Sequence, residues 1–197
     1  MGASVHTHHP FARKPSASTV LTPWIDLCIP RVPVSQSSKA ARVDRDTDAI
    51  NFGEIPPRIN ELLQSGVIAY RTSPAQAEHY FQAALSSAPD VLPVYFCLYK
   101  IYAYQGDSTG ALMAATAGLA EATRQAQVGS DIHAWSGPIE APDGPLRFAL
   151  YTLKALAFIH LKRGAREEAS RLLQQLQRLD PQGRVGWPVV ADLMAGL

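Results

Sequence analysis

LPVYFCLYKIYAYQGDSTGAL, residues 92–112, decides how the chain is read. Leu92, Tyr95, Phe96, Leu98, Tyr99, Ile101, Tyr102 and Tyr104 make a helix that is apolar on most sides. Such a helix is expected to be buried on more than one face. Gly106 can adopt the positive φ that ends a helix, and Asp107 or Ser108 can cap the next one. Small residues then follow: Ala111, Ala114, Ala115, Ala117, Gly118 and Ala120. A helix with small side chains lets a neighbour approach closely. The stretch therefore reads as one helix–turn–helix unit.

The same pattern recurs on both sides. Upstream, Pro56 and Pro57 open a helix over 58–71, with Ile59, Leu62, Leu63, Val67 and Tyr70 at helical spacing. Ser73 and Pro74 supply cap and first-turn residue for a second helix over 75–88, with Ala77, Phe81, Ala84 and Leu85 as its seam. Downstream, helices are expected over 146–163 and 166–179, divided by Gly164. Residues 127–145 between them read as a loop carrying Asp131, His133 and an exposed-looking Trp135. From Trp187, residues 187–196 suit a short final helix covering the apolar face of the one before.

Counting in frames of 34 residues from Arg58, Leu92 and Leu150 makes the repeat explicit. Ala77, Phe81, Ala84 and Pro89 stand at matching places in the first frame. Tyr95, Leu98, Tyr102, Gly106 and Ala111 do so in the second, and Leu156, Ala157, Gly164, Ala169 and Pro181 in the third. This arrangement resembles the tetratricopeptide repeat. Departures are Glu61 and Thr72 in the first frame, Ala115 at an aromatic place in the second, and His160 at one in the third. IPPRINELLQSG and LPVYFCLYKIYAYQGD also look similar to short tetratricopeptide proteins that accompany bacterial nitrogen-fixation genes.

The resemblance implies an all-α fold, a right-handed superhelical stack of about three antiparallel helix pairs with a short capping helix. The domain would span 55–197, with repeats near 58–91, 92–125 and 150–183. It also implies a concave binding surface lined by the first helix of each pair. Carried onto this chain, that surface selects Leu62, Tyr70, Phe96, Lys100, Tyr104, Tyr151, Lys154, Phe158 and Lys162. Three lysines with no acid in the set would draw a carboxylate or acidic peptide, while the rings supply contact area. The chaperone-tail clamp of some relatives needs Lys and Asn at fixed places and is not met. The function implied is a protein–protein interaction module, an adaptor or assembly factor, with a protein or peptide partner. A self-associating module, or an accessory factor in nitrogen-fixation enzyme assembly, is the alternative.

Composition bounds the other classes. The hydrophobic fraction is 47%, charged residues are 18%, and the net charge is +1, which argues for no polyanionic partner, neither nucleic acid nor membrane. Seven basic residues between 150 and 184 read as a solvated helix face. No apolar run approaches a membrane span and no signal segment is legible, so a cytoplasmic protein is expected. Cys28 and Cys97 have no metal-ligand spacing and read as incidental thiols. His6, His8 and His9 lack Cys or carboxylate neighbours. Phosphate-loop, HExxH and GxSxG motifs are missing, so no catalytic set, cofactor or metal is expected. His79 reads as solvated and His160 as a hydrogen-bonded core residue. Residues 1–54, cut by Pro10, Pro15, Pro23, Pro30 and Pro33, read as a largely disordered tail. Inside it stands one apolar island, STVLTPWIDLCIPRVPV at 18–34, suited to docking on a partner or on the protein's own groove.

Overall fold

The structure is a computed structural model that describes residues 52–140, 142 and 144–196. The described residues form seven α-helices and one 3-10 turn, with no strand among them. They are α1 (Pro57–Tyr70), α2 (Pro74–Ser87), α3 (Leu92–Gln105), α4 (Ser108–Gln125), α5 (Gly144–Lys162), α6 (Arg166–Leu179) and α7 (Trp187–Ala195). The 3-10 turn spans Ile132–Ala134. The fold is thus all-helical, and none of these helices is long and apolar enough to cross a membrane. The tail read as disordered, up to residue 51, lies outside the described residues, and with it the Trp24 island, the cluster of His6, His8 and His9, and Cys28.

Local chemistry sets the helix ends. Ser73 caps α2 by accepting from the Gln76 amide at 3.3 Å, with Pro74 behind it at the first turn. Gly106 ends α3 at φ 80°, a left-handed conformation that costs glycine little. Asp107 then caps α4, its Oδ1 accepting from the amides of Thr109 and Gly110 at 3.2 and 2.9 Å. The α5–α6 turn repeats the device with Gly164 at φ 79°. There, Glu167 and Glu168 complement the N-terminal dipole of α6.

Packing is serial. Each helix lies against its neighbours in sequence, and contacts that skip one helix join α3 to α5 and α5 to α7. Two apolar clusters result. One holds Ile59, Leu63, Phe81, Val94, Leu98 and Ile101 from α1, α2 and α3. The other runs from α3 to α7 through Tyr95, Phe148, Leu153, Leu172, Leu176 and Val190. Because α3 contributes to both, every residue from Leu92 to Tyr99 is buried. Ala77, Ala84, Ala111, Ala157 and Ala169 are fully buried. Side chains of that size let the helices pack closely.

Three features depart from the sequence reading. Phe52, placed in the tail, is only 6% exposed and belongs to the core. Trp135 is half-buried against the core, and its loop is fastened to α6. Gln175, itself buried, donates to the carbonyls of Ile132 and Trp135 at 2.7 and 3.0 Å. The Ile139 amide donates to the carbonyl of Leu179 at 2.8 Å. The stretch therefore makes a fastened connection that satisfies buried polar groups. His160 is half-buried, whereas His79 is exposed as expected.

Candidate functional site

Helical spacing sets the site's two long sides. Along α3, Phe96, Lys100 and Tyr104 recur every four residues and so share a face. Along α5, Tyr151, Lys154, Phe158 and Lys162 follow at spacings of three, four and four and likewise share a face. Tyr104 and Lys154 line one common cleft of about 190 Å³, together with Lys100, Ala103, Phe158 and Val190. Two residues of the surface that the resemblance implies thus line the same space.

Two adjoining depressions extend the cleft. Toward α1, Tyr70 and Val67 meet Lys100, Tyr104 and Cys97 around a small apolar hollow. The rings of Tyr70 and Tyr104 lie 6.3 Å apart. Burial pushes the Tyr70 hydroxyl pKa up. Toward α7, Phe158 and Lys162 face Val189, Asp192 and Leu193. Shared residues make the three a continuous band across α1, α3, α5 and α7.

The expected residues are not equivalent within this band. Tyr70, Lys100, Tyr104, Tyr151 and Phe158 are half-buried and Lys162 is exposed. Phe96 is different: it is 3% exposed, its ring packs against Phe52, and like Tyr151 it lines none of the three depressions. Leu62 packs on the α1–α3 cluster. Lys154 also differs. Its Nζ donates to the Val185 carbonyl at 2.5 Å and lies 4.7 Å from the Tyr151 ring centre. Burial lowers its pKa to about 8, and the charge on Lys100 adds to the fall. Against that fall stand the Val185 carbonyl and the Tyr151 ring, both of which favour the ammonium form. Lys100 Nζ sits 4.5 Å from the Phe96 ring centre.

The band contains more than the sequence reading selected. α7 contributes Val190, along with Asp192 beside Lys162, so the surface is not free of acid. Val189 and Leu193 of the same helix are 63% and 49% exposed. Their signal was present in WPVVADLMAGL, whose apolar residues cover more than one helical face. Phe52 had only a weak signal, a lone aromatic ahead of Pro56 and Pro57.

Several charged residues outside the band are engaged locally. Arg171 pairs with Glu168 at 2.6 Å, Arg184 donates to Gln182, and Arg166 donates to the carbonyl of Met194. Among the described residues, no three His, Cys, Asp or Glu side chains come together as a metal site. No family model matches the chain, and neither a curated protein nor a solved structure matches it.

Proposed function

We propose that the chain is a tetratricopeptide-like, right-handed stack of helix pairs that binds a protein or peptide along the α1–α3–α5–α7 band. The observation that carries this reading is the cleft between α3 and α5. Its walls are apolar, Tyr104 and Phe158 present ring surface, Lys100 lines it, and Lys162 lines the adjoining depression toward α7. That pattern suits an extended or helical segment with large apolar side chains beside a carboxylate. Rings supply buried area and lysines supply orientation.

Binding selection on displayed peptides with the full chain as bait tests it. The expected winners combine an aromatic or branched residue with Asp or Glu. A Lys100→Glu, Lys162→Glu chain should no longer select them. Selection of the same peptides by that variant would remove the band as the binding surface. Lys154 is a poor choice for the charge reversal, because its bond to the Val185 carbonyl makes loss of folding hard to separate from loss of binding.

A second reading, self-association, has its own support in the exposed Val189 and Leu193 on α7. Light scattering of the full chain over a range of concentrations tests it, with Leu193→Asp expected to return a dimer to monomer.

A further inference from the structure

Phe52 is the first described residue, and it is not at the molecule's surface. Its ring lies 5.3 Å from that of Phe96 on α3 and 5.1 and 5.6 Å from those of Phe148 and Tyr151 on α5. It therefore closes the end of the α3–α5 groove where both helices begin. One turn further along, Lys100 and Lys154 sit against the same Phe96 and Tyr151 rings. Beyond them open Tyr104, Phe158 and Val190. At a rise of about 1.5 Å per residue, Tyr104 stands only roughly 12 Å from Phe96 along α3. The chain preceding Phe52 is thus tethered at the mouth of an apolar cleft.

That preceding chain, residues 1–51, contains one concentrated apolar cluster: Trp24, Ile25, Leu27 and Ile29, with Asp26 among them. Its chemistry complements the cleft, large apolar side chains for the walls and one carboxylate for Lys100. The tether is suitable too. A coil of about 20 residues has a root-mean-square span of roughly 25 Å, which covers the distance and gives a millimolar effective concentration.

We propose that the Trp24–Ile29 stretch occupies the α3–α5–α7 cleft of its own chain, with Phe52 as the fixed anchor beside it. An outside partner then binds only by displacing this stretch. The inference rests on the groove reading above, and it adds the identity of the resident occupant.

Cys28 lies inside the stretch, and Cys97, the second of the two cysteines, is buried. A benzophenone maleimide placed on Cys28 of the full chain, irradiated and mapped by mass spectrometry, reads the contact directly, with Cys28→Ser as the blank. Expected are links within one chain to peptides containing Tyr104, Phe158 or Val190, lost in a Trp24→Asp, Ile25→Asp chain that retains Cys28. Links confined to residues 1–51, or links between chains that vanish on dilution, overturn the proposal. Peptide selection separates its fate from that of the groove. If Lys100→Glu, Lys162→Glu abolishes selection while Trp24→Asp, Ile25→Asp leaves affinity unchanged, the groove stands and the resident occupant falls. At least a tenfold gain in affinity in the Trp24→Asp, Ile25→Asp chain is the result expected.

Discussion

Lys154 on α5 donates its ammonium to the backbone carbonyl of Val185, 31 residues further along the chain, at 2.5 Å. This bond fastens the segment that leads into α7 to the groove wall. It also buries a charge, which lowers the lysine pKa to about 8 against 10.5 for an ordinary lysine.

The buried amine makes stability depend on pH in a defined window. Between about 8 and 10.5 the unfolded chain holds a proton on Lys154 that the folded chain has released. Stability therefore rises with pH across that window, and below it the full cost of the buried ammonium is present. Lys100 faces it from α3, Tyr151 shares its helix, and α7 presents uncharged Val190. Burial raises the hydroxyl pKa of Tyr70, Tyr95 and Tyr102 from the ordinary 10.0, so their opposing effect on stability begins only near the top of the window. Urea unfolding at pH 7.5 and 9.5 should show a gain of about 1–3 kcal/mol in the native chain relative to Lys154→Met. Equal pH dependence in both chains would contradict the assignment.

Asp180 organises the same corner from the other side. It is buried, and its carboxylate accepts from the amides of Arg184 and Val185 at 3.0 and 2.9 Å. Its carbonyl accepts from the Trp187 indole at 2.8 Å. Asp180→Ala orphans two amides and frees the entry to α7, at a cost of about 2–4 kcal/mol in chemical unfolding. Trp187 fluorescence should shift toward the exposed value before the rest of the chain unfolds.

Close packing of α3, α4 and α5 meets at Gly118. A methyl group there would stand 2.8 Å from Tyr95 Cβ and 3.2 Å from Phe148 Cζ. Alanine is favoured over glycine in a helix by about 1 kcal/mol, but a contact this short with a side-chain root must push backbone aside. Gly118→Ala is expected to destabilise by about 1–3 kcal/mol, read from the midpoint of thermal unfolding. A stabilised variant would mean that α3 and α4 are further apart than described.

Thr152 runs the opposite way. Its side chain is fully buried in α5, and among the described residues Oγ1 has no hydrogen-bond partner. Burying an unsatisfied hydroxyl costs about 1–3 kcal/mol, and valine keeps the shape without it. Thr152→Val should raise stability by about 1 kcal/mol, and a loss in denaturant titration would reveal a partner for the hydroxyl.

Most of the helical plan was legible before any coordinates. Ser73, Gly106 and Asp107 act as the end signals their chemistry suggests, and α3 is buried on both sides as its apolar circumference requires. The repeat resemblance implied a surface shared by Tyr104 and Lys154, and both line one cleft. It could not tell a reachable side chain from a covered one. Phe96 and Phe158 read alike in sequence, yet Phe52 covers the first and leaves the second facing the cleft. The Trp135 loop looked exposed because nothing within it reveals that Gln175 will bind its carbonyls.

The amino-acid order alone determined the helices, their turns and the face each one presents, because those follow from dihedral preferences and side-chain spacing within a few residues. Only the tertiary structure decided that Phe52 packs between α3 and α5, that Lys154 is tied to Val185, and that α7 lends Val190 and Asp192 to the same band. Each of those joins residues far apart in the chain. Such contacts depend on how whole helices stack, which no local spacing encodes.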